Sequence, residues 1–213
     1  MIDDIERYRA MLKRSKAVLT DTHVVYASGK HGSAYINKDM IYANTADIAT
    51  MGWGIAKHFH DTLKVDIDMV IGPAIGGIIM SQRVAEALCQ IKMRPILSVF
   101  ADKDGDGYVV KRGYDKLLKG KRVLVVEDVL NTGQSSRKTI DATRACECDI
   151  VGVGALCNRG GVTAEQLGVP HLYALIEISL DSWPAEHCPL CRANVPINTD
   201  VGKGRQFLAR QKN

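Results

Sequence analysis

The chain has 213 residues, 46% of them hydrophobic and 24% charged, and a net charge of +4. That balance supports one medium globular domain with room for a small extra lobe, and it excludes a disordered chain. The positive surplus is small and scattered, which excludes a nucleic-acid surface and fits the handling of small anions as well as solubility alone.

The N-terminal "MIDDIERYRAML" is acidic and amphipathic, without the basic start and apolar core of a signal peptide. Apolar runs such as "ALIEISL" are far too short to span a bilayer. The expectation is a soluble, cytoplasmic protein whose six cysteines are reduced thiols.

In chain order, Ile5, Tyr8, Met11, Leu12 and Val18 predict a helix over 3–19. "HVVYASGKHGSAYINKD" predicts two short strands around a turn at Gly29 to Gly32. A second helix is expected over 45–63, with Thr45 as its N-cap. A regular alternation then begins. "DMVIGP", "PILSVF", "RVLVVED", "IVGVGALCN" and "HLYALIEI" read as strands. Between them, "GGIIMSQRVAEALCQI", "GQSSRKTIDATRA" and "TAEQLG" read as helices. Strands alternating with helices predict βαβ units, and unbroken apolar strands predict a parallel sheet covered on both faces. The fold class is therefore α/β. Residues 1–40 fall outside the alternation and are expected as a small N-terminal lobe, with the core over 41–180. Residues 181–213, containing "HCPLC", are expected to be an irregular extension.

In an open α/β sheet, ligands bind beyond the carboxyl ends of the strands, and three such ends carry chemistry. In "VLVVEDVLNTGQSS", four β-prone residues run into Glu127 and Asp128, then into a loop of Thr132, Gly133, Ser135 and Ser136. A helix starting near Gly133 would aim its amides and the positive end of its dipole into that loop, favouring an anion. The acids suit neighbouring hydroxyls, a metal ion or developing positive charge. A ligand with a phosphate, a polyol and a cationic transition state would use both halves. The stretch is not a Walker A motif, because no Gly-Lys-Ser/Thr follows at the required spacing. In "VIGPAIGGI", Gly72, Gly76 and Gly77 make a strand-to-helix turn that either presents amides to an anion or serves packing. In "CNRGG", Arg159 follows a buried strand and can fork onto a carboxylate. The polar "FADKDGDGYVVKRGY" suits a mobile lid over 102–114. It is not a calcium loop, since the twelfth position from Asp102 is Gly113 rather than Glu.

Together these stretches resemble the type I phosphoribosyltransferases, whose core is a Rossmann-like parallel sheet with an N-terminal hood. Within that family the chain is most similar to the orotate-using members. "VLVVEDVLNTGQSS" is similar to the family's phosphoribosyl diphosphate (PRPP) motif, and "GPAIGGI" to its diphosphate loop. "YASGKHGSAYINKD" resembles its hood segment, "FADKDGDGYVVKRGY" its lysine-bearing flexible loop, and "NRGG" its orotate-binding arginine segment. The resemblance implies transfer of the 5-phosphoribosyl group from PRPP to orotate in pyrimidine synthesis, with Mg²⁺ bound mainly through PRPP. It implies that Glu127 and Asp128 hold the ribose hydroxyls, that Asn131, Thr132, Gly133, Gln134 and Ser135 cradle the 5′-phosphate, and that Val129 and Leu130 belong to the same PRPP-binding stretch. Gly72, Pro73, Ala74, Ile75, Gly76 and Gly77 would shape the diphosphate site. Lys103 would reach over the leaving diphosphate from the neighbouring subunit of a homodimer. Arg159, with Asn131 and Lys30, would bind orotate. Many members carry Thr in place of Asn131, a cation in place of Ala27 and Arg in place of Asp102. Two alternatives stay open: a transferase for another nucleobase, and a non-catalytic PRPP-sensing regulator. The regulator would need a dense basic surface, which is not evident.

"HCPLC" offers His187, Cys188 and Cys191, one ligand short of the four that structural zinc takes. Cys89, Cys146, Cys148 and Cys157 fall in predicted core elements without a second CxxC, so thiol, redox and metal readings stay open.

Overall fold

The computed structural model describes residues 2–26, 28–37, 39–178 and 180–211, so Ala27 lies outside the described residues. The chain divides into two compact units, one of Met1–Tyr8 with Asn44–Ile178 and one of Arg9–Ala43 with Ser179–Asn213. The N-terminal lobe segment and the C-terminal extension thus share a unit.

The first unit is built on a six-stranded sheet. Its spatial order is Leu172–Glu177, Asp149–Asn158, Arg122–Leu130, Met69–Pro73, Leu97–Asp104 and Gly107–Val109. All neighbours pair parallel except the last, which pairs antiparallel. The central strands are continuous apolar runs because both faces are covered: Met69, Ile71, Val123, Val125 and Val153 are all essentially inaccessible. Gly152 and Gly154 share one face of their strand. A Cβ there would lie 2.7 Å from the Phe59 ring and 2.6 Å from Ile55. The helix Thr45–Lys57 and its π-helical continuation His58–Thr62 therefore pack directly on backbone. From Met69–Pro73 the chain crosses to Leu97–Asp104 on one side, then returns to Arg122–Leu130 on the other. The order reverses between Met69–Pro73 and Arg122–Leu130, and a crevice opens beyond carboxyl ends at such a switch point.

Several boundaries depart from the sequence reading. The first helix is Ile2–Arg14 and does not reach residue 19, because Lys16 turns the chain with φ 53°. Val18–Leu19 instead pairs with Tyr35–Ile36. Asn44, not Thr45, caps the next helix: its side-chain oxygen accepts from the amides of Ala46 and Asp47, both at 3.2 Å. The polar stretch after Phe100 begins as a β-hairpin, with Lys103 opposite Tyr108 and Asp104 opposite Gly107. Gly105 supplies φ 55° at the first central turn position, where a positive φ is needed. Arg112 bridges back to Asp102 and lies over the Phe100 ring at 5.4 Å, and a short helix, Tyr114–Leu118, follows. The extension expected to be irregular holds the strand Ser182–Trp183 and the helices Pro189–Arg192 and Gly204–Gln211. Ser182–Trp183 completes a three-stranded antiparallel sheet with His31–Gly32 and Val24–Val25. It was illegible because two residues are too few to show a period. Among the described residues, no helix is long and apolar enough to cross a membrane.

Candidate active site

The acids do not end their strand. Arg122–Leu130 continues two residues past Asp128, because Val129 and Leu130 still pair with Cys157 and Asn158. Glu127 and Asp128 are only 6% and 3% exposed, so their polar atoms must find partners. Adjacent strand residues face opposite sides of the sheet. Glu127 turns toward the following helix, where the Ser136 hydroxyl donates to its Oε2 at 3.3 Å and the Asp128 amide approaches Oε1 at 3.2 Å. Asp128 accepts from the Val129 amide at 2.6 Å. These donors fix the orientation of both carboxylates before any ligand arrives. The Ser136 contact explains why that hydroxyl is buried rather than solvated.

Beyond the acids the chain closes a cavity of about 160 Å³, lined by Glu127 and the run 129–136. The volume suits one ligand group rather than a whole small molecule. Gly133 has φ 71° at the start of the helix Gln134–Arg144, and no side chain caps that helix. The Gln134 amide makes only a long contact to the Thr132 hydroxyl, at 3.4 Å, and the amides that follow it face the cavity as candidate donors. A Cβ on Gly133 would also press on Leu167 and Val162 at 3.0 Å.

The "GPAIGG" turn stands beside this loop. Ile71 pairs with Val125, so the turn begins level with Val126. A Cβ on Gly72 would lie 2.2 Å from the Gly77 carbonyl oxygen, and one on Gly77 would lie 2.9 Å from that of Val126. Gly72 and Gly77 are therefore packing glycines, which let the helix Gly76–Lys92 start close against the strands. The peptide between Ala74 and Ile75 is cis, and Ile75 is exposed.

The arginine segment is pinned to the acidic loop. The amides of Arg159 and Gly160 both donate to the Leu130 carbonyl, at 2.8 and 3.1 Å. Gly160 lies so close to Asn131 that no side chain could be accommodated there. Asn158, a residue the sequence reading passed over, closes this loop on itself. Its side-chain amide donates to the Val162 carbonyl at 2.9 Å, and its oxygen accepts from the Val162 amide at 3.0 Å. A polar residue ending a buried strand was the available signal.

The structure thus brings together Gly72 to Gly77, Glu127 to Ser136 and Arg159 at the ends of three adjacent strands. Lys103 lies on the outer hairpin and is exposed. The hairpin tip touches the loop helix through Lys138, whose ammonium donates to the Asp106 carbonyl. Tyr108 reaches toward the Ala74 carbonyl at 3.5 Å. Lys30 is exposed and belongs to the second unit.

The phosphoribosyl transferase domain family matches residues 38–188. The chain is 34% identical over 194 residues to the orotate phosphoribosyltransferase of Caldicellulosiruptor bescii, covering 90% of this chain and 94% of that one. It is 37% identical over 186 residues to that of Thermus thermophilus, covering 87% and 96%. Among solved structures, the orotate phosphoribosyltransferase of Mycobacterium tuberculosis superposes with a TM-score of 0.64 at 21% identity, over 82% of this chain and 96% of that one.

Proposed function

This chain belongs to the orotate phosphoribosyltransferases of the phosphoribosyl transferase domain family, and from that premise we propose how its own residues carry the reaction. The reaction joins orotate to the 5-phosphoribosyl group of PRPP, giving orotidine 5′-monophosphate and diphosphate in pyrimidine (UMP) biosynthesis. The observation that carries the reading is the acid pair, held by Ser136 and by backbone amides, beside a one-group cavity at the switch point of the sheet.

The 5′-phosphate occupies the cavity of residues 129–136 and takes donors from the Thr132 and Ser135 hydroxyls and the first helical amides. Glu127 and Asp128 hold the ribose hydroxyls. As the bond from C1′ to diphosphate breaks, positive charge grows on the sugar and negative charge on the leaving group. Preorganised carboxylates near the first and cations near the second lower the barrier. Arg159 forks onto the orotate carboxylate, with Asn131 beside it. Lys103 covers the diphosphate from the partner subunit of a homodimer, and the turn from Gly72 to Gly77 shapes the space beneath it. Closure of such a cover keeps water from the activated sugar.

Mg²⁺ fits this donor set. Hard oxygen ligands suit it, and it is usually held by one or two carboxylates plus substrate phosphates. It would be held mainly through the oxygens of PRPP, with Glu127 and Asp128 on the ribose hydroxyls beside it. When bound, it supplies charge neutralisation on the diphosphate.

A spectroscopic assay of the purified protein with PRPP, Mg²⁺ and a panel of bases tests the reading. Orotate is expected to be consumed, and uracil and adenine to be nearly inert. Preference for a base without a carboxylate would reject orotate as the acceptor.

A further inference from the structure

A second group of reactive side chains lies away from the candidate active site, wholly within the second unit. His23, His31, Cys188 and Cys191 bring one ligand atom each to within 4.8 Å of one another. His23, His31 and Cys188 are buried, and neither cysteine is in a disulfide. His187, adjacent in sequence and the ligand suggested by "HCPLC", is exposed and is not part of the group.

Three of the distances match a filled coordination sphere. A tetrahedral ion with about 2.0–2.1 Å bonds to nitrogen and about 2.3 Å bonds to sulfur sets neighbouring N and S ligands about 3.6 Å apart. Here Cys188 Sγ lies 3.6 Å and Cys191 Sγ 3.7 Å from His23 Nε2, and Cys191 Sγ lies 3.4 Å from His31 Nδ1. The two ring nitrogens are closer, at 2.9 Å.

The surroundings also orient the ligands. His23 Nδ1 lies 2.7 Å from the Val195 carbonyl, which can only accept, so Nδ1 carries the proton and Nε2 turns its lone pair to the group. Without an ion, His31 Nδ1 would have to donate to that lone pair. His31 Nε2 would then be a buried acceptor, and no partner for it exists among the described residues. An ion on both lone pairs removes the need for a proton between the two nitrogens; His31 Nε2 then carries the proton and still has no hydrogen-bond partner among the described residues. The Phe207 ring stands nearly perpendicular to His31, with centroids 4.8 Å apart.

We infer that His23, His31, Cys188 and Cys191 form a structural zinc site. Two thiolates and two imidazoles in a tetrahedron select Zn²⁺, and four protein ligands leave no open position for a substrate. The ion would join the Val24–Val25 and His31–Gly32 strands to the turn that carries Pro189–Arg192. It would hold together parts of the chain separated by about 160 residues.

Zinc per chain, measured by mass spectrometry on protein purified without added metal or chelator, tests the site. One equivalent is expected in the wild type and in His187→Ala, and less than a tenth in Cys188→Ser/Cys191→Ser. Chelation is expected to lower the Tm by roughly 5–10 °C, with recovery when zinc returns. If the double variant fails to fold, X-ray absorption on the wild type decides: two sulfur neighbours at about 2.3 Å and two nitrogen neighbours at about 2.0–2.1 Å are expected. A wild type that holds no zinc after equilibration with the ion under reducing conditions, or whose Cys188 and Cys191 thiols titrate freely in the native state, would overturn the proposal. So would a spectrum dominated by oxygen ligands, or loss of zinc in His187→Ala but not in His31→Ala.

Discussion

The proposed chemistry rests on a few side chains, and each depends on what holds it. Asp128 is almost fully buried, and the Val129 amide fixes its carboxylate. Asp128→Asn keeps the shape and removes the charge. Turnover is expected to fall about a hundredfold or more, with little change in Tm. Near-normal turnover would take Asp128 out of the mechanism. Arg159 stands on a loop that Asn158 closes and the Leu130 carbonyl anchors. Truncating one partner of a desolvated charge pair typically costs about 2–5 kcal/mol, because the other charge is left unpaired. Arg159→Ala is therefore expected to weaken orotate binding by more than thirtyfold while leaving PRPP binding nearly unchanged. Calorimetry with each ligand measures both, and an equal loss for the two would remove Arg159 from base recognition.

At the scale of elements, the apolar runs were legible and their ends were not. "RVLVVED" reveals a buried strand, but pairing with the neighbouring strand carries it on to Leu130. The polar "ADKDGDGYVV" shows no apolar signal, yet the turn at Gly105, the Asp102–Arg112 bridge and the Arg112–Phe100 contact fold its first half into a hairpin. Side chains from distant parts of the chain were hidden for another reason. Nothing in "HCPLC" points to His23 and His31, more than 150 residues away. The acidic loop was readable because its residues are contiguous, whereas Asn158 acts only through a closure that needs coordinates to see. The hairpin carries its own test. Lys103 is exposed on it, and Lys103→Ala is expected to abolish most activity without unfolding the protein. Mixing Lys103→Ala with Asp128→Asn subunits should restore part of the activity if the lysine serves the partner's site. No recovery in verified mixed dimers would place the lysine in its own subunit's site or outside the reaction.

Over the molecule as a whole, the first unit places the proposed catalytic groups and an ion-pair network at opposite ends of the strands of one sheet. The acids, the glycine turn and Arg159 gather at the carboxyl ends of the strands. At the amino ends, Asp68 receives the Arg122 guanidinium at 2.9 Å through two nitrogens, the Arg122 amide at 3.1 Å and Arg94 at 3.1 Å. Asp66 joins the same network through Lys92, Arg94 and Arg122. Hydrogen bonding from Lys92 is the main force holding the Asp66 carboxyl down to about 2, and Arg122 holds Asp68 well below the usual carboxylate range. Both values are depressed on folding. Their stabilisation is therefore complete above the unfolded carboxylate value of about 4 and is lost as pH falls through the folded values. Asp68→Asn is expected to cost about 1–2 kcal/mol at pH 7, a modest figure because Arg122 is partly exposed and screened. The loss should shrink as pH falls from about 4, where the unfolded carboxylates take up protons, toward the depressed folded values. Because Asp68 lies at the far ends of the strands, kcat at pH 7 should be unchanged. Denaturant unfolding of both proteins from pH 7 down to pH ~2 checks the claim. A stability gap that does not vary with pH would show that Asp68 acts through packing rather than charge, and a fall in kcat without a fall in stability would show that the two ends are not separate.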